Sequence, residues 1–118
     1  MNDTTSSQKD EFIPYNDFAK LIIRVATIET AEDIPKSDKL LKLSIDIGNN
    51  EKRIIIAGIK KQYDKEQLIN SQIIVLTNLE QRKVFGITSQ GMLLACDVEG
   101  KAVLIRPDSP VPNGTKIR

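Results

Sequence analysis

One stretch of the sequence, residues 78–92, concentrates side chains that could recognise a charged ligand. Among them are the polar and basic residues Asn78, Arg82, Lys83, Ser89 and Gln90. Guanidinium and ammonium groups bind phosphates, whereas amide and hydroxyl groups bond sugars or base edges. Two glycines in the stretch would let a ligand approach the backbone closely. The same stretch would also suit an ordinary long connection between strands, held to the core by Phe85 and Ile87, so both interpretations stay open.

Catalytic groups are scarce in this sequence. Histidine is absent and Cys96 is the only cysteine, which excludes a histidine-dependent nucleophile, a Cys/His zinc site and an internal disulfide. The six glycines are dispersed and form no glycine-rich phosphate loop. Cys96 follows apolar residues, which favours a core thiol over a reactive one. We therefore expect a protein that is not an enzyme and that uses no metal and no cofactor.

Charge is balanced over the whole chain but not along it. Seventeen basic and sixteen acidic residues give a formal net charge of +1. Residues 1–33 carry seven acids and three bases, whereas residues 34–118 carry nine acids and fourteen bases. A polyanion responds to the local field within a Debye length of ~8 Å. The second part could attract a polyanion if folding gathered its bases on one face; otherwise they form a solvated strand surface.

Short strands are the elements that must position these residues. Leu41, Leu43, Ile45 and Ile47 alternate with polar residues, which predicts a strand with one buried face. Other apolar, β-branched runs cover residues 21–30, 53–59, 73–77, 92–96 and 102–106. Asp64 and Gln67 form a capping-box pattern for a short helix. This order predicts an all-β, oligonucleotide-binding (OB) fold: a five-stranded barrel with a short helix between strands 3 and 4 and β additions at the carboxyl terminus.

The length of 118 residues suits one small domain. We expect residues 1–13 to form a disordered or extended tail and residues 14–118 to form the barrel domain. No apolar run approaches the ~18 residues that a membrane span requires, and no charged stretch leads into an apolar run typical of a signal peptide. These features predict a cytoplasmic protein that does not associate with membranes.

Several short motifs follow one another in order between Phe18 and the carboxyl terminus. They are Ser37-Asp38-Lys39-Leu40-Leu41-Lys42-Leu43, Asp46-Ile47-Gly48, Ala57-Gly58-Ile59, Leu76-x-Asn78-Leu79-x-x-Arg82-Lys83 and Gly86-Ile87-x-Ser89-Gln90-Gly91-Met92. Each motif alone is weak, but the ordered set is specific. By this set the chain resembles the tRNA-binding domain family, which includes free-standing structure-specific tRNA-binding proteins and the C-terminal domain of methionyl-tRNA synthetases.

The resemblance implies an OB-fold barrel that binds the tRNA body by shape, commonly as a homodimer. It implies tRNA-binding roles for Lys39, Lys42, Asn78, Arg82, Lys83, Ser89, Gln90 and Met92. Arg82 and Lys83 would contact phosphates, whereas Lys52, Arg53, Lys60 and Lys61 are expected to add only to the general field. The family usually has proline where Gln81 stands, so this loop would lose more conformational entropy on binding.

The function that we expect is non-catalytic, structure-specific tRNA binding, with delivery of the tRNA to an aminoacyl-tRNA synthetase of the methionyl type. The expected partners are tRNA, a second copy of the chain and methionyl-tRNA synthetase. Five aromatic residues offer little material for stacking on bases, which favours a folded RNA over an extended single strand. The alternatives are a peptide-binding export chaperone of the same barrel family and a synthetase beta subunit that is active only in complex.

Overall fold

Nine strands and two short helices form in residues 10–118, the part of the chain that the computed structural model describes. Residues 1–9 of the predicted tail lie outside this part. The helices are α1 (Tyr15–Ala19) and α2 (Lys65–Leu68). The strands are β1 (Ile23–Asp33), β2 (Leu41–Asp46), β3 (Lys52–Ala57), β4 (Gln72–Leu76), β5 (Arg82–Val84), β6 (Ile87–Ser89), β7 (Met92–Leu93), β8 (Ala95–Val98) and β9 (Lys101–Leu104).

The central sheet has five antiparallel strands in the order β3-β2-β1-β4-β7. The long strand β1 pairs with β4 through its first half and with β2 through its second half, and its register shifts between Ile28 and Thr30. Such an irregularity bends a strand, which lets one strand serve both sides of a barrel. The segment around Gln90 then joins β3, because the Gln90 N–H donates to the Ile54 carbonyl oxygen over 2.8 Å. The predicted all-β OB-type barrel is confirmed.

The barrel interior is filled by the residues that alternate along the strands. Leu41, Leu43 and Ile45 of β2 are fully buried, and the intervening side chains of Lys42 and Ser44 are partly exposed. Burial of each such aliphatic side chain contributes roughly 1.5–3 kcal/mol. The period of two that the sequence shows is therefore the period of the core.

Helix α2 closes one end of this core between β3 and β4, as predicted. Its Leu68 side chain is fully buried. The Asp64 N–H donates to Oε1 of Gln67 over 2.8 Å, which is one half of the predicted capping box. Neither helix in the described part of the chain is long and apolar enough to cross a membrane.

Three predictions about the region after residue 84 are wrong. The run 92–96 was expected to be one strand, but β7 pairs with β4 whereas β8 pairs with β9 in a separate hairpin. Cys96 lies on the outer face of that hairpin and is exposed, so it is not a core thiol. Phe85 is also 57% exposed, because it occupies the turn between β5 and β6 and does not hold the segment to the core.

Candidate nucleic-acid interface

Residues 82–89 fold into the β5–β6 hairpin, which presents the basic pair to solvent. Arg82 pairs with Ser89 and Lys83 pairs with Thr88 across the two strands. The turn consists of Phe85 and Gly86, both with positive φ (52° and 79°), as in the tight turns that suit strand twist. Arg82 and Lys83 are exposed. A rigid two-stranded element therefore carries the two cations that the sequence indicated as phosphate contacts.

Asn78 anchors the beginning of the segment to the chain that enters β1. Its Oδ1 accepts a hydrogen bond from the Ile22 N–H at 2.8 Å, and its Nδ2 donates to the Lys20 carbonyl oxygen at 2.7 Å. Both ends of the amide are thus bonded to backbone. The position of Asn78 gives it a structural role in the interface, and contact with RNA stays a prediction.

Ser89 and Gln90 lie in the seam where the barrel closes. The Ser89 hydroxyl, which is almost fully buried, accepts from the Ile56 N–H at 3.1 Å and donates to the Gly91 carbonyl oxygen at 3.2 Å. Oε1 of Gln90 accepts from the Ile54 N–H at 2.9 Å. These side chains replace backbone partners that β3 would otherwise lack. Hydrogen bonds from Ser89 and Gln90 to ribose or bases stay a prediction.

Arg53 fastens the segment to the barrel, a role that sequence reasoning missed. Its Nη1 donates to the carbonyl oxygens of Thr77 at 2.5 Å and Gln90 at 3.3 Å. Its Nε and Nη2 bond the Glu51 carboxylate, each at 2.9 Å. One guanidinium therefore joins both ends of residues 78–89. No local pattern around Arg53 indicates this, because its partners lie 24 and 37 residues away along the chain.

An open cavity of about 370 Å³ lies beside the hairpin. Leu79 and Met92 form apolar walls, each a little under half exposed, and Arg82 stands at the same cavity. The other lining residues are Ile56, Glu80, Gln81, Ser89 and Gly91. Cavities of this size are typical of sites that hold a small ligand or part of a larger one. Met92 is thus at the surface of the cleft, and its contact with RNA stays a prediction.

Lys42 and Arg82 lie in one transverse row of the barrel wall. Lys42 of β2 pairs with Ile56 of β3. Ile56 in turn bonds Ser89, and Ser89 pairs with Arg82. With strands about 4.8 Å apart, three such steps separate the Lys42 and Arg82 Cα atoms by ~14 Å. The barrel therefore brings together two of the predicted cations that are 40 positions apart in the sequence.

Lys39 lies just before the start of β2, three residues from Lys42. Its side chain is exposed and its carbonyl oxygen accepts from the Lys60 N–H at 3.1 Å. The Ser37 hydroxyl accepts from the N–H groups of Lys39 and Leu40, which shapes this turn. Lys39 is thus close to the row along β2 and on a different segment from the hairpin.

The acids of β1 neutralise several bases of the second part of the chain, but not those of the hairpin. Glu29 lies 2.8 Å from Lys52, Glu32 lies 3.8 Å from Lys42, and Asp33 lies 3.0 Å from Lys65 and 3.3 Å from Lys60. Hydrogen bonds from Lys65 and Lys60 lower the pKa of the Asp33 carboxyl, and the bond to Asp33 raises the pKa of Lys65.

In the described part of the chain, three cations of the candidate interface, Arg82, Lys83 and Lys39, have no such partner, whereas Lys42 is paired with Glu32. No carboxylate within residues 10–118 lies within 4.0 Å of the charged nitrogens of Arg82, Lys83 or Lys39. The same part of the chain contains no group of three acidic or cysteine side chains placed to hold a metal ion. The arrangement offers positive charge, hydrogen-bonding groups and a partly apolar cavity, which together suit a phosphorylated polymer.

Comparison with known proteins identifies the family. The family model described as "Putative tRNA binding domain" matches residues 23–116. Methionine–tRNA ligase of Methanothrix thermoacetophila is 53% identical over 106 residues, which are 90% of this chain and 16% of that enzyme. The enzyme of Pyrococcus abyssi is 44% identical over 93% of this chain and 15% of its own length. The chain thus spans only a small part of the curated relatives that it matches.

Solved structures give the same result. The MetRS related protein from Pyrococcus horikoshii superposes with a TM-score of 0.86 and 36% identity, covering 92% of this chain and all of that one. The chaperone CsaA from Bacillus anthracis superposes with a TM-score of 0.83 and 33% identity over the same shares. The resemblance seen in the ordered motifs is confirmed, and the chain belongs to the tRNA-binding domain family.

Proposed function

We propose that this protein is a non-catalytic tRNA-binding protein that holds the body of a folded tRNA through phosphate and ribose contacts. The observation that carries the proposal is the row from Lys42 to Arg82, in which Lys42 is the strand neighbour of Ile56 in the wall of the cavity that Arg82 also lines. Arg82 would bind a phosphate through its planar fork, and Lys83, Lys42 and Lys39 would act as point charges. Ser89 and Met92 line the cavity, Asn78 and Gln90 lie in the segment beside it, and the polar groups of Asn78, Ser89 and Gln90 would contact ribose.

The first experiment measures binding to total tRNA, a single-stranded RNA and a double-stranded DNA by gel shift. We expect a clear preference for tRNA and a loss of binding in the Arg82→Ala/Lys83→Ala variant. The variant Lys52→Ala/Lys116→Ala is the control, since it removes the same charge away from the hairpin. Equal binding of all three nucleic acids, or an unaffected Arg82/Lys83 variant, would contradict the proposal.

The salt dependence tests the electrostatic part of the mechanism. If about five phosphates are neutralised, log K falls against log salt with a slope of roughly −3.5 to −4.5. A titration that stays flat between low and high salt would reject phosphate contact as the source of affinity.

Dimerisation and delivery to a synthetase extend the proposal. The outer face of the β8–β9 hairpin exposes Val98 and Val103, about half accessible each, and such an apolar face suits a second copy of the chain. A dimer would present two basic faces to one tRNA and raise its avidity.

The methionyl type of synthetase is favoured by the relatives, and the cytoplasm is the compartment in which we expect the complex. Light scattering of the purified protein and co-purification with methionyl-tRNA synthetase test these points.

A second candidate function is that of a peptide-binding chaperone. It is favoured by the similarity to two proteins described as CsaA chaperones, from Bacillus anthracis and Picrophilus torridus. Binding of an unfolded polypeptide that persists in the Arg82→Ala/Lys83→Ala variant would favour this function over tRNA binding. A third candidate, a synthetase beta subunit active only in complex, predicts that tRNA binding requires the catalytic subunit.

A further inference from the structure

A second basic cleft lies away from the cavity beside the hairpin. It has a volume of about 410 Å³ and is lined by Lys39, Leu40, Gly58, Lys61, Gln62, Gly100 and Lys101. Its three lysines come from three segments: the turn before β2, the turn after β3 and the tip of the β8–β9 hairpin. Gly58 and Gly100 have no side chains and leave the cleft open between the lysines, and Gln62 contributes an amide group. From the sequence, Lys61 is expected only to add to the general field, and no motif of the sequence includes Lys101.

Contacts within the fold hold these three segments together. The Lys60 N–H donates to the Lys39 carbonyl oxygen at 3.1 Å, which joins the first two segments. The Tyr63 hydroxyl accepts from the Leu104 N–H at 3.0 Å, which docks the β8–β9 hairpin against the second. Asp97 Oδ1 accepts from the Gly100 N–H at 2.8 Å and closes the hairpin tip beside Lys101. The lysines are therefore held near one another by ordered backbone.

The cleft keeps most of its positive charge. Lys61 lies 3.7 Å from Asp38, but both side chains are more than half exposed, so solvent screens this pair strongly. No carboxylate of residues 10–118 lies within 4.0 Å of the Lys39 or Lys101 ammonium. Asp97, which accepts from the Gly100 N–H, and Glu99, which precedes Gly100, are the other acids near the cleft, and both are exposed. None of these three exposed acids lines the cleft, so its walls carry three lysines and no carboxylate from residues 10–118. Lys52, in contrast, contacts Glu29 and Asp46 at 2.8 and 3.2 Å.

We infer that this cleft is a second phosphate-binding site for RNA, built from Lys39, Lys61 and Lys101, an inference that rests on the proposed tRNA-binding function. Gly58 follows the last residue of β3, two positions beyond Ile56 in the row that connects Lys42 with Arg82. Lys39 lies three residues before Lys42, at most ~10 Å along the chain. The cleft therefore adjoins the row at the start of β2 and the end of β3. One RNA backbone can cross the hairpin and the cleft without leaving this side of the barrel.

The test compares two double variants of the full chain. Lys61→Ala/Lys101→Ala removes two charges from the cleft, and Lys52→Ala/Lys116→Ala removes two charges elsewhere. We expect the cleft variant to bind tRNA roughly tenfold more weakly at low salt. Its log K against log salt slope should be smaller in magnitude by about 1.4–1.8, the share of two phosphates. Lys61→Arg/Lys101→Arg should restore wild-type binding, because it keeps both charges.

Each outcome of the test decides the inference. If the cleft variant binds like the wild type while Arg82→Ala/Lys83→Ala loses binding, the cleft is not a site and the tRNA-binding function stands. If the control variant loses as much affinity for tRNA as the cleft variant, the loss comes from the overall charge of the protein and the inference fails. If the wild type shows no preference for tRNA, the proposed function and the inference fail together.

Displacement of tRNA by a polyglutamate peptide from the wild type, but not from the cleft variant, would assign the cleft to acidic polypeptides instead. Thermal unfolding and light scattering verify that fold and oligomeric state are unchanged.

Discussion

The Arg53 guanidinium donates to the Thr77 carbonyl oxygen over 2.5 Å, and the same Nη1 reaches the Gln90 carbonyl oxygen at 3.3 Å. Thr77 precedes the candidate binding segment and Gln90 follows the β5–β6 hairpin. Arg53 itself is three-quarters buried at its side chain. A single side chain on β3 therefore fixes both ends of the element that carries Arg82 and Lys83.

Replacement of Arg53 by alanine should weaken both stability and tRNA binding. The carbonyl oxygens of Thr77 and Gln90 lose a charged donor, which should lower the free energy of unfolding by about 1–3 kcal/mol. Water that reaches these oxygens in the variant would reduce this loss. We expect faster amide hydrogen exchange in β5 and β6 and weaker tRNA binding, because the hairpin is held less firmly to the barrel. Chemical unfolding and exchange by mass spectrometry measure these effects. Glu51→Ala is the control, because it removes the ion pair and keeps both carbonyl contacts; an equal effect of the two variants would refute the fastening role.

Proline at position 81 should tighten tRNA binding. Gln81 stands where the family usually has proline, in the stretch that leads from Asn78 into β5. A proline whose backbone angle fits reduces the conformational entropy of the free loop, an effect of about 0.4–1 kcal/mol. We therefore expect Gln81→Pro to lower the Kd for tRNA about two- to fivefold in a filter-binding titration. Gln81→Ala controls for loss of the side chain, and a Kd of Gln81→Pro equal to or above that of Gln81→Ala would contradict the argument.

Ser89→Ala should destabilise the barrel by about 1–3 kcal/mol. The Ser89 hydroxyl is almost fully buried and is the partner of the Ile56 N–H, which would be left without an acceptor. Urea unfolding followed by circular dichroism measures the loss. Thr88→Ala, on the neighbouring and more exposed position, is the matched control. Equal stability of Ser89→Ala and the wild type would show that the hydroxyl is not needed to close the seam.

Stability should fall below about pH 4 as two carboxylates lose their partners. The Gly48 N–H, which donates to Asp46 Oδ1 at 2.8 Å, is the main cause that lowers the pKa of Asp46, with a smaller contribution from Lys52. Hydrogen bonds from Lys65 and Lys60 lower the pKa of Asp33. Because these values lie below those of the unfolded chain, the stabilisation is complete above the unfolded pKa of about 3.9 and disappears as pH falls through the folded values.

Thermal unfolding between pH 6 and pH 2.5 tests this expectation. The wild-type Tm should stay level at the upper end and fall at the lower end. Asp46→Asn should reduce the fall, because asparagine does not titrate, whereas Asp108→Asn, in the carboxyl-terminal segment, should leave the profile unchanged. A profile of Asp46→Asn that parallels the wild type throughout would count against the role of Asp46.

The sequence by itself determined the barrel and its family. The alternation of Leu41, Leu43 and Ile45, and the capping box of α2, are local patterns. They depend on side-chain period and on hydrogen bonds within four residues, so they persist in any context that buries one face. The ordered motifs determined the family for the same reason, since they occur along the chain and need no knowledge of which segments meet.

The tertiary structure determines which residues from distant parts of the chain are neighbours. The exposure of Cys96 and Phe85, the division of residues 92–96 between two sheets, the fastening role of Arg53 and the meeting of Lys61 with Lys101 all depend on register between distant strands. In a sheet, register and closure are set by pairings tens of residues apart, and one side chain's neighbours are unknown until those pairings form. Chemistry was therefore visible residue by residue in the sequence, whereas the site is a property of the closed barrel.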